Sequence, residues 1–324
     1  MFIWKLYTFV LLYSVHLICT CESFSTPSGG ETFLTVPNDL EYLASTGMLV
    51  RPHQNLYVLG TVHIGSKSAQ DAELLINTIK PSSVVVEVPP SRLKRIQQKF
   101  YSENPQKKII ENNHIKQMDL IGAIGALPSL ASAGFQKGGI SGLCFSTVIV
   151  WSSLLKRSMT SNEEIKELPR RNEFEAAIYA TERLGAKIIP ADAEFDDLIQ
   201  SVANSMDLIQ WIQLGVAITG EFIGLLPTDP IRREKGEAID DWEIRRRDIN
   251  VARASRKHGD TMAPQLSKVL VEQRDKEFAR ICLNQLDINR EGTETVVCLI
   301  GLVHVDGVVS SLKNSKKLLT ANET

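Results

Sequence analysis

Two segments far apart in the chain decide the fold: LYVLGTVH at residues 56–63 and VVCLIGLVH at residues 296–304. Each begins with a continuous apolar run that is bounded by glycine, which predicts a buried strand of a parallel sheet. Each then ends in Gly-x-Val-His, so that His63 and His304 follow the C-terminal end of a strand. Ligands and reactive groups of open α/β sheets gather at that edge. The two histidines are therefore candidate site residues.

Apolar strand patterns alternate with helical patterns along the rest of the chain. Further strands are predicted at residues 84–88 and 186–190, and helices at residues 66–80, 172–184 and 264–286. This order predicts an α/β fold with a mainly parallel central sheet that is flanked by helices and joined by right-handed crossovers. Glu87 and Asp192 would then lie at the same edge of the sheet as the two histidines.

Imidazoles and carboxylates at one edge suggest two kinds of chemistry. Two histidines and a carboxylate suit a divalent transition metal with an open position for water, whose pKa the metal would lower. Without a metal, the same groups could share general-base and general-acid roles. Glu87 carries the most weight, because a charge within a buried strand costs several kcal/mol unless it is paired or coordinated. For each residue by itself, a hydrogen-bonded strand end is the alternative.

Two further charged residues fall on apolar helix faces. Arg274 lies in the middle of the apolar stripe of the helix that starts at Pro264. A buried guanidinium needs an acidic partner, for which Glu87 or Asp192 would serve, and extension of the side chain to the surface is the alternative. Glu173 shares a face with apolar residues, although exposure in the first turn of its helix would also explain an acid there.

Composition excludes some classes of protein. The 324 residues carry a net charge of -2, which gives no basic excess for binding nucleic acid. The five cysteines include no CxxC pair, so neither a structural zinc site nor a dense disulfide framework is predicted. No pattern in the sequence indicates an oligomeric state.

The chain divides into a leader, a linker, one domain and a tail. We assign residues 1–35 to a targeting leader, 36–54 to a linker, 55–312 to the α/β domain and 313–324 to a polar tail. The leader predicts import into the secretory pathway, with an uncleaved anchor as the alternative. Its later part resembles the two-part presequences of algae with complex plastids, so import into such a plastid is a further possibility. The Gly/Ala-rich, helical insertion at residues 115–160 predicts either a membrane-associating hairpin or a buried helical insertion.

The order and spacing of these motifs resemble those of the TraB/PrgY/GumN family, which is similar to the Tiki-type membrane metalloproteases. The resemblance covers residues 55–312 and rests on GTVHIG at 60–65, VVVE at 84–87, NEFEAA at 172–177, QRD at 273–275 and GLVHVDG at 301–307.

The resemblance implies a fold like that of the erythromycin esterases and ChaN, and a peptidase-like, metal-dependent hydrolase. A divalent cation of the Mn, Co or Zn class would be held by His63, His304 and Glu87. Together with the positions of the charged residues described above, we predict Glu87, Arg274, Asp192 and Glu173 as the catalytic residues. Peptides or proteins would be the substrates, and association with a membrane is implied. Ala193 and Gln273 depart from the family pattern, which has arginine and glutamate there. The alternative is a non-catalytic, membrane-associated regulatory or tethering protein of the same fold.

Overall fold

The computed structural model describes seven stretches of the chain. They are residues 34–63, 67–102, 131–132, 134–148, 172–234, 236–288 and 294–321. The predicted leader at 1–35 falls almost entirely outside the described residues, as does most of the insertion at 115–160.

A central sheet of five strands is found in the described part of the chain. The strands are β1 (Leu49–His53), β2 (Leu56–Thr61), β3 (Ser83–Val86), β4 (Lys187–Pro190) and β5 (Val296–Gly301). Their order is β1-β2-β5-β3-β4, in which β1 is antiparallel to β2 and all other neighbours are parallel. The predicted α/β class with a mainly parallel sheet is confirmed. Since β5 lies between β2 and β3, the strand that leads to His304 lies between those that lead to His63 and Glu87.

Helices flank the sheet. They are α1 (Glu41–Ser45), α2 (Lys67–Ile79), α3 (Pro90–Ser102), α4 (residues 134–148), α5 (Glu173–Leu184), α6 (Phe195–Ser205), α7 (Leu208–Phe222), α8 (Ile239–Arg246), α9 (Ile249–Met262), α10 (Pro264–Ser267), α11 (Gln273–Ile288) and α12 (Val305–Ala321). A π-helical turn, Lys268–Glu272, joins α10 to α11, so the predicted helix from Pro264 runs on to Ile288. A 3₁₀ turn, Leu302–His304, precedes α12.

The hydrophobic core surrounds the middle strands. Every residue of β2 and β5 is buried, which explains why both sequences are continuous apolar runs rather than alternating ones. Helices α2 and α3 pack against α5, while α11 packs against α12 and contacts β3 and β5. The strand ends are thus held in a rigid frame, and polar side chains that follow them have defined positions.

The segment assigned to a linker, residues 36–54, is part of this frame. Its helix α1 and strand β1 belong to the domain because Leu43 and Met48 are fully buried and Leu49 pairs with Leu59 of β2. The segment gave no clear strand pattern because Pro52 interrupts it. Proline is tolerated in β1 because this is an edge strand.

The described part of the insertion packs in a second, purely helical cluster. Phe145 of α4 contacts Trp211 of α7, with ring centroids 5.6 Å apart, and α6 contributes Val202 to the same cluster. On its other side, α7 exposes Ile209 and Ile212. Among the described helices, none combines the length and the apolar character needed to cross a membrane.

Candidate functional site

Four parallel strands deliver polar residues to one edge of the sheet. His63 follows β2, Glu87 follows β3, Asp192 follows β4 and His304 follows β5. The strands that precede them are adjacent and run in the same direction. The structure therefore brings these four side chains to a common edge, where Arg274 from α11 and Glu173 from α5 join them.

Gly301, the last residue of β5, leaves the space into which the side chains point. A Cβ atom at this position would lie 3.0 Å from Nε2 of His63, 3.4 Å from Oε2 of Glu87 and 3.5 Å from Cδ2 of His304. The backbone angles of Gly301 are those of an ordinary extended residue (φ −60°, ψ 142°). An added Cβ atom would be tight only against His63, so the glycine matters here for the space it leaves and not for its conformation.

His63 is held by a buried acid. Its Nδ1 is hydrogen-bonded to Oε1 of Glu173, which is only 2% exposed, and its ring contacts Phe174 with centroids 5.3 Å apart. Asn172 caps α5 by accepting the amide hydrogen bond of Phe174 at 2.8 Å, so that Glu173 is fixed in the first turn of the helix. The suggested exposure of Glu173 is thus not observed.

The environment of His63 raises the pKa of its imidazole. Burial by itself would lower the pKa of the imidazole, but the hydrogen bond and charge of Glu173, together with the charge of Glu87, outweigh burial and raise the pKa. His63 also has a positive φ of 52°, which is uncommon for a residue other than glycine. Its side chain remains 43% exposed, so solvent and ligands can reach it.

Glu87 accepts hydrogen bonds at both of its carboxylate oxygens. Its Oε2 accepts the amide hydrogen bond of Gly301 at 2.5 Å, and its Oε1 accepts one from Nη2 of Arg274. Burial alone would raise the pKa of the carboxyl, but its electrostatic interactions with His304, Arg274 and His63 and its hydrogen bond from Gly301 hold the pKa below its usual value. The buried charge predicted at this position is therefore compensated.

Arg274 contacts both acids that the sequence suggested as its partners. Its Nε donates to Oδ1 of Asp192 at 3.0 Å, and its Nη2 donates to Glu87. Its Nη1 donates to the carbonyl oxygen of Leu270 at 3.1 Å, within the π-helical turn. Burial would lower the pKa of the guanidinium, but the two carboxylates raise it. Such π-helical turns recur at functional sites, and here the turn leads directly into the helix that carries Arg274.

His304 is held in the same manner as His63, but it is almost completely buried. Its Nδ1 lies 2.7 Å from Oδ1 of Asp275, whose Oδ2 forms an ion pair with Nη1 of Arg256 at 2.8 Å. Its Nε2 lies 3.6 Å from Oε1 of Glu87 and 3.4 Å from Nη1 of Arg274. Both histidines therefore use Nδ1 to contact an acid and direct Nε2 towards Glu87 or the space beside it.

Asp275 and Arg256 were not among the predicted site residues, although Asp275 closes the QRD motif at 273–275. Asp275 follows Arg274 directly, but nothing in the pattern of α11 links it to a histidine 29 residues later. Gly307 in the sequence is a sign of this contact, because a Cβ atom there would lie only 1.8 Å from Oδ2 of Asp275. A glycine in the first turn of α12 therefore marks the close approach of a side chain from another helix.

The side chains as they stand are not arranged as a metal centre. In the part of the chain that the structure describes, no three His, Cys, Asp or Glu residues are grouped so that they could hold one ion. Both oxygens of Glu87 are engaged, one by Arg274 and one by the amide of Gly301. A metal ion at this edge would need Arg274 to release Glu87. The chain matches no model of a known protein family, and no curated protein is significantly similar to it.

Proposed function

We propose that the chain is a hydrolase of the TraB/PrgY/GumN type, with a fold like that of the erythromycin esterases and ChaN, which cleaves peptide bonds at this edge of the sheet. One observation carries the proposal: His63 and His304 each contact a buried carboxylate through Nδ1 and keep Nε2 for the site. Histidines that bind a metal almost always donate their second ring N–H to a carboxylate, a carbonyl or water. A histidine that acts as a base is oriented by an acid in the same way.

The residues suit a divalent cation of the Mn, Co or Zn class in donor type. Nε2 of His63, Nε2 of His304 and one oxygen of Glu87 would hold it, since two imidazoles and a carboxylate are a known ligand set for such ions. When bound, the cation would polarise a peptide carbonyl and lower the pKa of water. The contacts of Glu173 and Asp275 support this role because each fixes one histidine with Nδ1 protonated and Nε2 available.

Arg274 is the positioning residue of this site. It holds the carboxylate of Glu87 from one side, while the amide of Gly301 holds it from the other, so that the carboxylate has one orientation. Asp192 is the second acid paired with the guanidinium, since its Oδ1 accepts a hydrogen bond from Nε of Arg274 at 3.0 Å. If Arg274 turned towards Asp192 alone, Glu87 would be free to bind a ligand without a change in the net charge of the site.

A second candidate function is hydrolysis by acid–base chemistry without a metal. It is favoured by the proximity of Arg274 to Glu87 and His304. A guanidinium 3.4 Å from Nε2 of His304 opposes the binding of another cation there. In this case His63, paired with Glu173 and exposed to solvent, would accept the proton of an attacking water. The guanidinium of Arg274 would then stabilise the developing oxyanion.

Metal analysis and a peptidase assay of the full chain separate these possibilities. For the metal-dependent hydrolase, we expect about one bound ion per chain, loss of that ion in His63→Ala and His304→Ala, and loss of peptidase activity in a chelator. Activity that survives the chelator but is lost in Glu173→Gln would favour the metal-free reaction. The absence of both metal and peptidase activity would refute a hydrolase and leave the regulatory or tethering protein as the alternative.

The location of the protein is part of the proposal. We infer that residues 1–35 direct the chain into the secretory pathway or a complex plastid, and that the helical insertion associates with a membrane. The exposed Ile209 and Ile212 on α7 support this association because apolar side chains that face solvent favour a lipid surface or a partner. Carbonate extraction of membranes tests it: release of the full chain into the soluble fraction would contradict the proposal.

A further inference from the structure

Three consecutive arginines, Arg245 and Arg246 of α8 and Arg247 directly after it, differ in their surroundings. Arg245 forms a two-fold contact with Glu237, at 2.7 Å for Nε and 2.8 Å for Nη2. Arg247 forms an ion pair with the buried Asp71, with Nη1 at 2.6 Å from Oδ2. These two arginines are therefore structural, whereas Arg246 between them makes neither kind of contact.

Arg246 is a half-buried cation without an acidic partner. Its Nε is buried and has no hydrogen-bond partner, and no carboxylate forms an ion pair with it among the residues that the structure describes. Its guanidinium lies over the ring of Trp242, with Cζ 5.4 Å from the ring centroid. Burial lowers the pKa of this guanidinium, and Asp229 only partly opposes the shift. A buried charge that is only partly compensated is costly, so its presence needs a reason.

The position of Arg246 supplies that reason. Helix α8 is tied to the start of α2 by Glu243, whose Oε1 accepts the amide hydrogen bond of Lys67 at 3.0 Å. Arg246 lies three residues after Glu243 and thus on the same face of α8, and Lys67 lies four residues after His63. Consistent with this proximity, the positive charge of Arg246 lowers the pKa of His63 against the stronger effect of Glu173.

The other cations at this edge of the sheet are neutralised by the protein itself. Arg274 is paired with Glu87 and Asp192, and Arg256 is paired with Asp275. Among the arginines described near the site, Arg246 is the one whose guanidinium forms no ion pair with a carboxylate. Arginine recognises the oxygens of carboxylates and phosphates through its planar set of N–H donors.

We propose that Arg246 binds an anionic oxygen group of the substrate, a carboxylate or a phosphate, next to His63. This inference rests on the proposed function in that His63 belongs to the reactive site, and it adds that the substrate carries a negative charge close to the bond that reacts. Arg246 is thus a specificity residue whose partner is supplied by the ligand. The cation–π contact with Trp242 holds the guanidinium near this position before the ligand arrives.

Thermal unfolding of the full chain tests whether Arg246 is structural. Because Arg246 has no hydrogen bond or ion pair to lose among the described residues, and its burial is costly, Arg246→Gln should leave Tm unchanged or raise it. The matched variants Arg245→Gln and Arg247→Gln lose ion pairs and should lower Tm by at least about 3 °C. A fall in Tm for Arg246→Gln as large as that for Arg247→Gln would overturn the inference, because it would mean that the guanidinium supports the fold.

Ligand binding tests the assignment directly. Inorganic phosphate and succinate, titrated separately, should change the fluorescence of Trp242 in a saturable manner, and the tighter of the two identifies the group. Arg246→Gln should weaken binding at least about tenfold, Arg246→Lys should weaken it less, and the remote variant Arg280→Gln should not change it. Equal affinity in Arg246→Gln, or no saturable binding of either anion to the wild type, would refute the inference. The readout needs no turnover, so a chain without peptidase activity refutes the proposed function and leaves this test valid.

Discussion

Replacement of Gly307 by alanine should destabilise the protein, although alanine is the better helix former. The new Cβ atom would lie 1.8 Å from Oδ2 of Asp275, so the carboxylate would have to retreat by about 1.6 Å to reach an ordinary contact of 3.4 Å. That movement breaks its contact with His304 at 2.7 Å or its ion pair with Arg256 at 2.8 Å. Breaking a buried pair costs about 3–5 kcal/mol, and the helix preference for alanine offsets about 1 kcal/mol. The net loss should be about 2–4 kcal/mol.

Urea unfolding followed by circular dichroism measures this loss, provided that both variants show the same dependence on urea concentration. The matched control is Gly259→Ala in α9, where the added Cβ would meet no described heavy atom within 4 Å apart from the backbone of its own helix. This control should gain up to about 1 kcal/mol from helix preference alone. If Gly307→Ala were as stable as the wild type, the close packing of Asp275 against the first turn of α12 would be refuted.

Three more changes probe the surroundings of the site. Gly301→Ala should alter the free energy of unfolding by less than about 1 kcal/mol, because the half-exposed His63 can move aside. In a Zn²⁺ titration, the same variant should bind the metal about 10–100-fold more weakly. Glu173→Gln removes a charge that raises the pKa of His63, so an NMR titration should find a lower pKa; an unchanged value would contradict the contact. His258 has a pKa raised by its hydrogen bond to Glu221, so it stabilises the fold below about pH 6.5 and loses this effect as the pH rises through the folded-state pKa. His258→Gln should therefore be less stable than the wild type at about pH 5 and closer to it at high pH, as measured by urea unfolding.

The middle of the sheet could be predicted because its strands are buried on both faces. Residues 56–61 and 296–301 are continuous apolar runs, and the polar residue that follows each run had to lie at a strand end. The order of the strands could not be predicted, since a crossover helix such as α2 allows β3 to pair next to β2 or beyond β5. The pairing of β1 with β2 was also missed, because an antiparallel edge strand that contains Pro52 lacks the apolar pattern.

The acids that follow strands could be recognised from the sequence, and so could Glu173 on the apolar face of its helix, whereas the contact of Asp275 with His304 could not. Glu87 interrupts an apolar strand, and such a charge stands out. Asp275 lies on a helix that is rich in charged residues, and only the packing of α11 against α12 brings it to His304. The charged neighbours of Arg246 in sequence are typical of a solvated helix face. Its lack of a partner becomes evident only when the contacts of Arg245 and Arg247 are known.

The most direct measurement is ¹⁵N NMR of the histidine rings in the full chain, with His63→Ala and His304→Ala used to assign the two signals. The contacts with Glu173 and Asp275 predict that each neutral ring carries its proton on Nδ1, and that Zn²⁺ shifts the Nε2 signals of both rings together. Rings that carry the proton on Nε2, or Nε2 signals that do not respond to Zn²⁺, would contradict a shared metal site of His63, His304 and Glu87.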